Sequence, residues 1–225
     1  MIKNNIIVMG DIHGEWGKMN TLINKKKPTI VFQCGDLGYF PKWQGKFYTD
    51  SMGNRRQFKS EPNVGSTKVY WCGGNHEDWD SLDALENNEI WPNVFYMKRN
   101  SVLTLNDGRN VLFIGGALSI DKAWRTPGDS WFAQETISQK DIFELPDVQV
   151  DIVISHTAPQ SFPCVDEKVE FEHDCSRDAL DYVLQKYHPK LWYFGHFHAR
   201  QSGIYEGCKW HMLDDTTGSK WWCWL

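Results

Sequence analysis

Five short stretches of this chain hold side chains that bind divalent metals well. They are Gly10-Asp11-Ile12-His13-Gly14, Gly35-Asp36-Leu37-Gly38, Gly74-Asn75-His76-Glu77, Ser155-His156 and Gly195-His196-Phe197-His198. Carboxylate, carboxamide oxygen and imidazole nitrogen together suit borderline transition metals. The number of such groups is enough for two ions side by side. Two adjacent cations sharing a hydroxide are a general means of attacking a phosphorus ester. Phosphoryl-transfer hydrolysis is therefore the chemistry these residues suggest.

The elements that position them are legible as apolar runs. Strand-like runs cover Asn5–Met9, Thr29–Cys34, Lys68–Cys72, Val94–Met97, Val102–Leu105, Asn110–Ile114, Ile152–Ser155, Leu191–Phe194 and Cys208–Leu213. Several are continuously apolar, as expected of strands covered on both faces. Helical spacing marks Glu15–Asn24, Trp79–Asn88 and Thr136–Leu145, the last with a capping pair Thr136 and Gln139. Ser176–Tyr187 carries Ala179, Leu180, Val183 and Leu184 as an amphipathic stripe. Alternation of strands and helices predicts an α/β protein. Val94 to Ile114 reads as consecutive antiparallel strands with an Asn106-Asp107-Gly108 turn, so the sheets should be mixed. Pro41 to Ser66 reads as a long irregular insertion. The apolar end, Lys220 to Leu225, should pack back on the body.

Gly10-Asp11, Gly35-Asp36, Gly74-Asn75 and Gly195-His196 each follow a strand-like run at its C-terminal end, and His156 does so without the glycine. Ligands of open α/β sheets gather at that edge. Glycine there permits a sharp exit that turns the next side chain toward the cleft. Five distant loops are thus expected to meet at one point.

In that order, the motifs GDxHG, GDxG, GNHE, H and GHxH resemble those of the calcineurin-like metallophosphoesterase superfamily, over Asp11 to His198. The resemblance implies a four-layer α/β/β/α sandwich with two mixed β-sheets, formed by one metallophosphoesterase domain over residues 1–225. It implies two divalent ions at the sheet edge. One would be held by Asp11, His13, Asp36 and His198, the other by Asp36, Asn75, His156 and His196. Asp36 would bridge them, which a carboxylate can do and a neutral imidazole cannot. His76 matches the family's non-ligand histidine, set to stabilise charge or protonate the leaving oxygen. Mn²⁺ is the expected metal, with Fe, Zn²⁺ or Ni²⁺ as alternatives. One departure bears on substrate. The serine/threonine protein phosphatases of this superfamily carry Val-Asp-Arg-Gly after the second Gly-Asp, whereas Leu37-Gly38-Tyr39-Phe40 follows here. That favours a small or nucleotide-like phosphate mono- or diester over a phosphoprotein. A protein phosphatase, and a catalytically silent scaffold on the same fold, are the alternatives.

Residues around the site invite roles of their own. Arg125 is a candidate for substrate binding beside Asn75, since a guanidinium grips two oxygens at once. A surface ion pair is the competing reading. Trp124, Trp131 and Phe132 suit a substrate wall or the core, and Tyr39, Phe40 and Trp43 suit one rim of the cleft. Arg55 and Arg56 read as a solvated basic pair, and His173, His188 and His211 as ordinary structural histidines.

Bulk properties narrow the partners. With 41% hydrophobic and 24% charged residues the composition is that of a soluble globular protein. A net charge of −5 gives no general attraction for nucleic acid or an anionic membrane. Nucleic acid as a substrate therefore rests only on the 12 tryptophans, which suit packing better. The apolar run Ile6 to Met9 is too short for a signal segment or a membrane span. The six cysteines form no C-x-x-C pair, so reduced thiols and a cytoplasmic location are expected.

Overall fold

The computed structural model describes residues 5–49, 55–57, 61–164 and 174–225, with side chains left undescribed at 47–49 and 55–57. Every strand-like run read from the sequence forms a strand. One sheet contains β1 (Ile6–Met9), β2 (Ile30–Gln33), β5 (Lys68–Trp71), β6 (Glu89–Trp91), β7 (Val94–Tyr96) and β14 (Trp222–Trp224), in the order β14-β1-β2-β5-β7-β6. The other contains β8 (Ser101–Thr104), β9 (Asn110–Ile114), β10 (Ile152–Ser155), β11 (Leu191–Phe194), β12 (Gln201–Tyr205) and β13 (Cys208–Met212), in the order β12-β13-β11-β10-β9-β8. A small antiparallel pair joins β3 (Phe47–Thr49) to β4 (Arg55–Gln57). Four α-helices, α1 (Trp16–Lys26), α2 (Trp79–Asp83), α3 (Gln139–Phe143) and α4 (Cys175–Tyr187), and three short 3-10 turns complete the described elements.

Both large sheets share one plan. Inner strands run parallel, and each outer edge carries an antiparallel strand. Their packing explains the unbroken apolar runs. Along β1, Ile7 and Met9 face a cluster with Trp16, Met19, Leu22 and Ile23 of α1, while Ile6 and Val8 face the second sheet. Along β11, Trp192 and Phe194 face Leu180, Val183 and Leu184 of α4, while Tyr193 joins the layer between the sheets. Phe32, Cys34 and Cys72 from one side meet Val111, Phe113, Ile152 and Ile154 from the other in that layer. Helices, sheet, sheet and helices thus make the expected four-layer α/β/β/α sandwich. Each fully buried aliphatic or aromatic side chain in these layers contributes roughly 1.5–3 kcal/mol.

Four local expectations are corrected. Val94 to Ile114 is not one antiparallel series: β7 lies parallel to β5 in one sheet, and the chain then crosses to the other sheet to start the β8–β9 hairpin. The Asn106-Asp107-Gly108 turn does close that hairpin, with Gly108 at φ 88°. The cap of α3 is Ser138 rather than Thr136. Its hydroxyl accepts from the Asp141 amide while the Asp141 carboxylate accepts from the Ser138 amide, a reciprocal pair two residues further on. Helix α2 stops at Asp83, where Asn87, Asn88 and Glu89 lead into β6. The Pro41–Ser66 stretch is less irregular than its composition suggests, because it contains a 3-10 turn at Pro41–Trp43 besides β3 and β4. The chain end pairs as β14 with β1, Cys223 opposite Val8.

His188 caps α4 in the left-handed region at φ 45°, and His211 stacks on Tyr193 within the second sheet. The side chains of Arg55 and Arg56, and all of His173, lie outside the described residues. All six cysteines are free thiols. No described helix is long and apolar enough to cross a membrane.

Candidate metal centre

The C-terminal ends of β1, β2 and β5 in one sheet and of β10 and β11 in the other point to the same place. The loops that leave them carry Asp11 and His13, Asp36, Asn75 and His76, His156, and His196 and His198. All are brought together. Asp11, Asp36, Asn75 and His156 are buried, whereas His13 and His198 keep part of their rings open.

Two groups of donor atoms result. In the first, His13 Nε2 lies 3.0 Å from His198 Nε2, 3.9 Å from Asp11 Oδ2 and 3.7 Å from Asp36 Oδ2. His198 Nε2 is 3.1 Å from Asp11 Oδ2. Donor atoms of all four residues lie within 4.8 Å of one another. In the second, Asn75 Oδ1 is 2.9 Å from His156 Nε2 and 3.1 Å from His196 Nδ1, and His156 Nε2 is 3.4 Å from Asp36 Oδ1. Ligands about 2.0–2.2 Å from one cation sit roughly 3.0–4.4 Å from each other, depending on the angle between them. The separations in both groups lie close to that range, so the residues present fit two ions.

The far sides of the rings agree. His156 Nδ1 is 2.8 Å from the Cys34 carbonyl, and His198 Nδ1 is 3.4 Å from Asp215 Oδ2. A metal-bound histidine characteristically donates its other N–H to a carbonyl or carboxylate. His196 is tied through its backbone, whose N–H donates to Asp11 at 3.0 Å.

Charge in the nest is tightly balanced. Burial alone would raise the Asp36 carboxyl, but His156, His76 and His13 around it hold it well below the usual range. Burial would likewise discharge His156, yet Asp36 pushes its pKa up to about 10. The proton that His156 thereby keeps occupies the place of a cation, and a divalent ion would displace it. His196 is held well below the usual histidine value by burial and by His156, so its lone pair is free.

The backbone is also set for the purpose. His13, Asp36, His196 and His198 have φ of 47°, 54°, 69° and 47°. This left-handed region costs roughly 1–2 kcal/mol per non-glycine residue. The amides of Ile12 and His13 both donate to the Asp36 carbonyl, at 3.0 and 2.8 Å, which holds the first two loops together. The expected role of glycine holds for Gly35, at φ 92°, but at the other loops the left-handed turn is made by these functional residues themselves. Gly74 and Gly195 instead leave room, since a side chain there would run into the Asp36 and Asp11 carboxylates respectively.

Other residues join the site. The Asn75 amide donates to Ser119 Oγ at 3.1 Å. Arg125 donates through Nη1 to the same Ser119 at 2.6 Å and through Nη2 to the Asn75 carbonyl at 2.6 Å. Its guanidinium also faces Glu135 at 3.6 Å and is only 7% exposed. Both Glu77 oxygens accept backbone N–H bonds, from Gly38 at 3.1 Å and from Gly74 at 2.6 Å. Asp121 Oδ2 lies 3.9 Å from His76 Nε2. Ser119, Asp121, Glu77 and Asp215 were not singled out as site residues. Ser119 carried the same signal as the others, for it is the first polar residue after the Asn110–Ile114 strand. Trp124 is 85% exposed and Phe132 is in the core, while Trp131 stacks under Lys122. Tyr39 is buried, and Phe40 and Trp43 line a groove beside His13 and His76.

A two-sheet sandwich with oxygen and imidazole donors converging from both sheets is the arrangement of a metal-dependent phosphoesterase. The chain belongs to the calcineurin-like phosphoesterase family, whose profile matches residues 5–200. No curated protein matches the sequence. Among solved structures, one chain aligns at 14% identity with a TM-score of 0.56, over 94% of this chain and 91% of that one. The protein TT1561 of Thermus thermophilus aligns at 13% identity with a TM-score of 0.54, over 93% and 89%. Both likenesses concern the fold alone.

Proposed function

We propose that the protein hydrolyses phosphate mono- or diesters at a dinuclear metal centre formed by Asp11, His13, Asp36, Asn75, His156, His196 and His198. The observation that carries this reading is the position of Asp36. One carboxylate oxygen faces His13 at 3.7 Å and the other faces His156 at 3.4 Å, so a single side chain belongs to both donor groups.

When bound, the ions supply Lewis acidity for water and for the phosphate oxygens. The chain's own groups do the rest. Asp36 spaces the two positions and offsets their charge. Asn75 contributes a neutral oxygen, which leaves the nest less negative and more receptive to phosphate. Its backbone and side chain are both held through Arg125 and Ser119, so Arg125 positions Asn75. His76 projects beside the nest without belonging to either donor group. Its backbone N–H donates to Asp36 Oδ1 at 2.7 Å, which fixes the residue relative to the bridge. From there its imidazole stabilises charge on the departing oxygen or protonates it. Mn²⁺ is the preferred metal, and the free thiols fit a reducing, cytoplasmic setting.

Stripped protein reloaded with Mn²⁺, Fe²⁺, Ni²⁺ or Zn²⁺ in turn tests this, with metal counts and turnover of p-nitrophenyl phosphate and bis-p-nitrophenyl phosphate. Two bound ions and turnover of at least one ester are expected. Two bound ions with no turnover of either ester would place the chain among scaffolds of this fold.

A further inference from the structure

Beside the metal nest lies a groove of about 160 Å³ lined by His13, Trp16, Phe40, Trp43, Gln44 and His76. Phe40 and Trp43 stack in parallel, with ring centroids 4.3 Å apart and planes 8° from coplanar. Both keep part of their surface open, as does Gln44. Trp16 is buried below, its indole N–H donating to the Leu37 carbonyl at 3.0 Å, which fixes the floor.

The groove is continuous with the nest, because His13 and His76 line both. A substrate group lying past His76 would face it. The volume is below the roughly 300–1,000 Å³ of drug-sized pockets, so it suits one flat ring system rather than an extended chain. Stacked aromatic side chains favour a planar aromatic partner over a saturated one of equal size. The half-open Gln44 amide offers both a donor and an acceptor to the rim of such a ring.

We infer that the Phe40–Trp43 pair is the specificity subsite of the protein, selecting phosphate esters that carry a flat aromatic group. The inference rests on the phosphoesterase reading of the neighbouring nest, and it deepens that reading by naming a substrate class. A nucleobase and a simple aryl group share this chemistry.

Two matched pairs of probes separate them. AMP and ribose 5-phosphate differ only by the base, and phenyl and cyclohexyl phosphate differ only by the flatness of the ring. Binding to Mn²⁺-loaded protein is read by calorimetry, independently of any turnover. Stacking at this site should make AMP bind about tenfold tighter than ribose 5-phosphate if a base is taken, or phenyl about tenfold tighter than cyclohexyl phosphate if an aryl group is. Trp43→Ala should erase that preference and Trp43→Phe restore most of it. Equal affinity within both pairs, absence of binding by all four, or a preference untouched in Trp43→Ala would each overturn the inference. The two readings fail separately. Preference without hydrolysis of any ester removes the catalytic reading and keeps the subsite, while hydrolysis without preference does the reverse.

Discussion

Gly35 should not tolerate a side chain, for two reasons at once. It precedes Asp36 and sits at φ 92°, in the region that side chains avoid. A Cβ there would also lie 2.5 Å from His156 Nδ1, 2.7 Å from Cγ and 2.8 Å from Cβ of the same residue. His156 cannot retreat, because it is fully buried and its Nδ1 is 2.8 Å from the Cys34 carbonyl. Gly35→Ala therefore combines backbone strain of roughly 1–3 kcal/mol with overpacking of roughly 1–3 kcal/mol. Their sum is about 2–6 kcal/mol. At about 2–4 °C per kcal/mol for a chain of this size, the melting temperature should fall by at least about 4 °C. The shift of His156 should weaken metal binding as well. Calorimetric melting of the metal-free protein reads the first effect, and titration with Mn²⁺ reads the second. A Gly35→Ala protein that melts within about 1 °C of wild type would refute the steric reasoning. Unchanged metal affinity would separate His156 from the donor set.

Further expectations concern the donors and the second sheet. Asp36→Ala should weaken metal binding beyond the roughly 10–100-fold that loss of an outer hydrogen-bond partner costs, measured by metal content after dialysis; two tightly held ions would defeat the shared-carboxylate assignment. His76→Ala should keep both ions while kcat falls by roughly 10²–10⁴; parallel losses of metal and rate would make His76 a ligand instead. The last concerns pH. Burial, with Arg200 and Lys209 nearby, pushes His211 down to about 4, against about 6.5 in an unfolded chain. Between those values the unfolded chain takes up a proton that the fold refuses, so stability is lost as pH drops from about 6.5 toward 4. His211→Phe preserves the stack on Tyr193, whose ring centroid is 4.9 Å away, and removes this component. Urea midpoints across that range should decline less steeply in the variant, and identical declines would rule His211 out.

The strands and the donors were legible for one reason. A strand buried on both faces must be continuously apolar, and the first polar residue after it is conspicuous, as Asp11 is after Ile6 to Met9. What escaped was set by partners distant in sequence. Strands β6 and β12 are edge strands with mixed composition, so Gln201–Tyr205 carries no strong pattern until Cys208–Met212 pairs with it. The crossing between sheets at Lys98 to Asn100 leaves no local mark, because antiparallel neighbours and sheet changes use similar turns. The cap of α3 slipped because Thr136 and Ser138 both have a hydrogen-bonding residue three positions on. Arg125 shows the limit most clearly: a guanidinium reads the same in sequence whether it points at water or, as here, at the Asn75 carbonyl and Ser119.

Each donor group draws on both sheets. Asp11, His13, Asp36 and Asn75 leave one, and His156, His196 and His198 leave the other. Cations seated there would act as rivets across the seam. Neither half carries a complete donor set by itself, so full coordination requires the assembled sandwich. Once riveted, the halves could separate only by shedding their ions, and the slow step of unfolding would then be metal release.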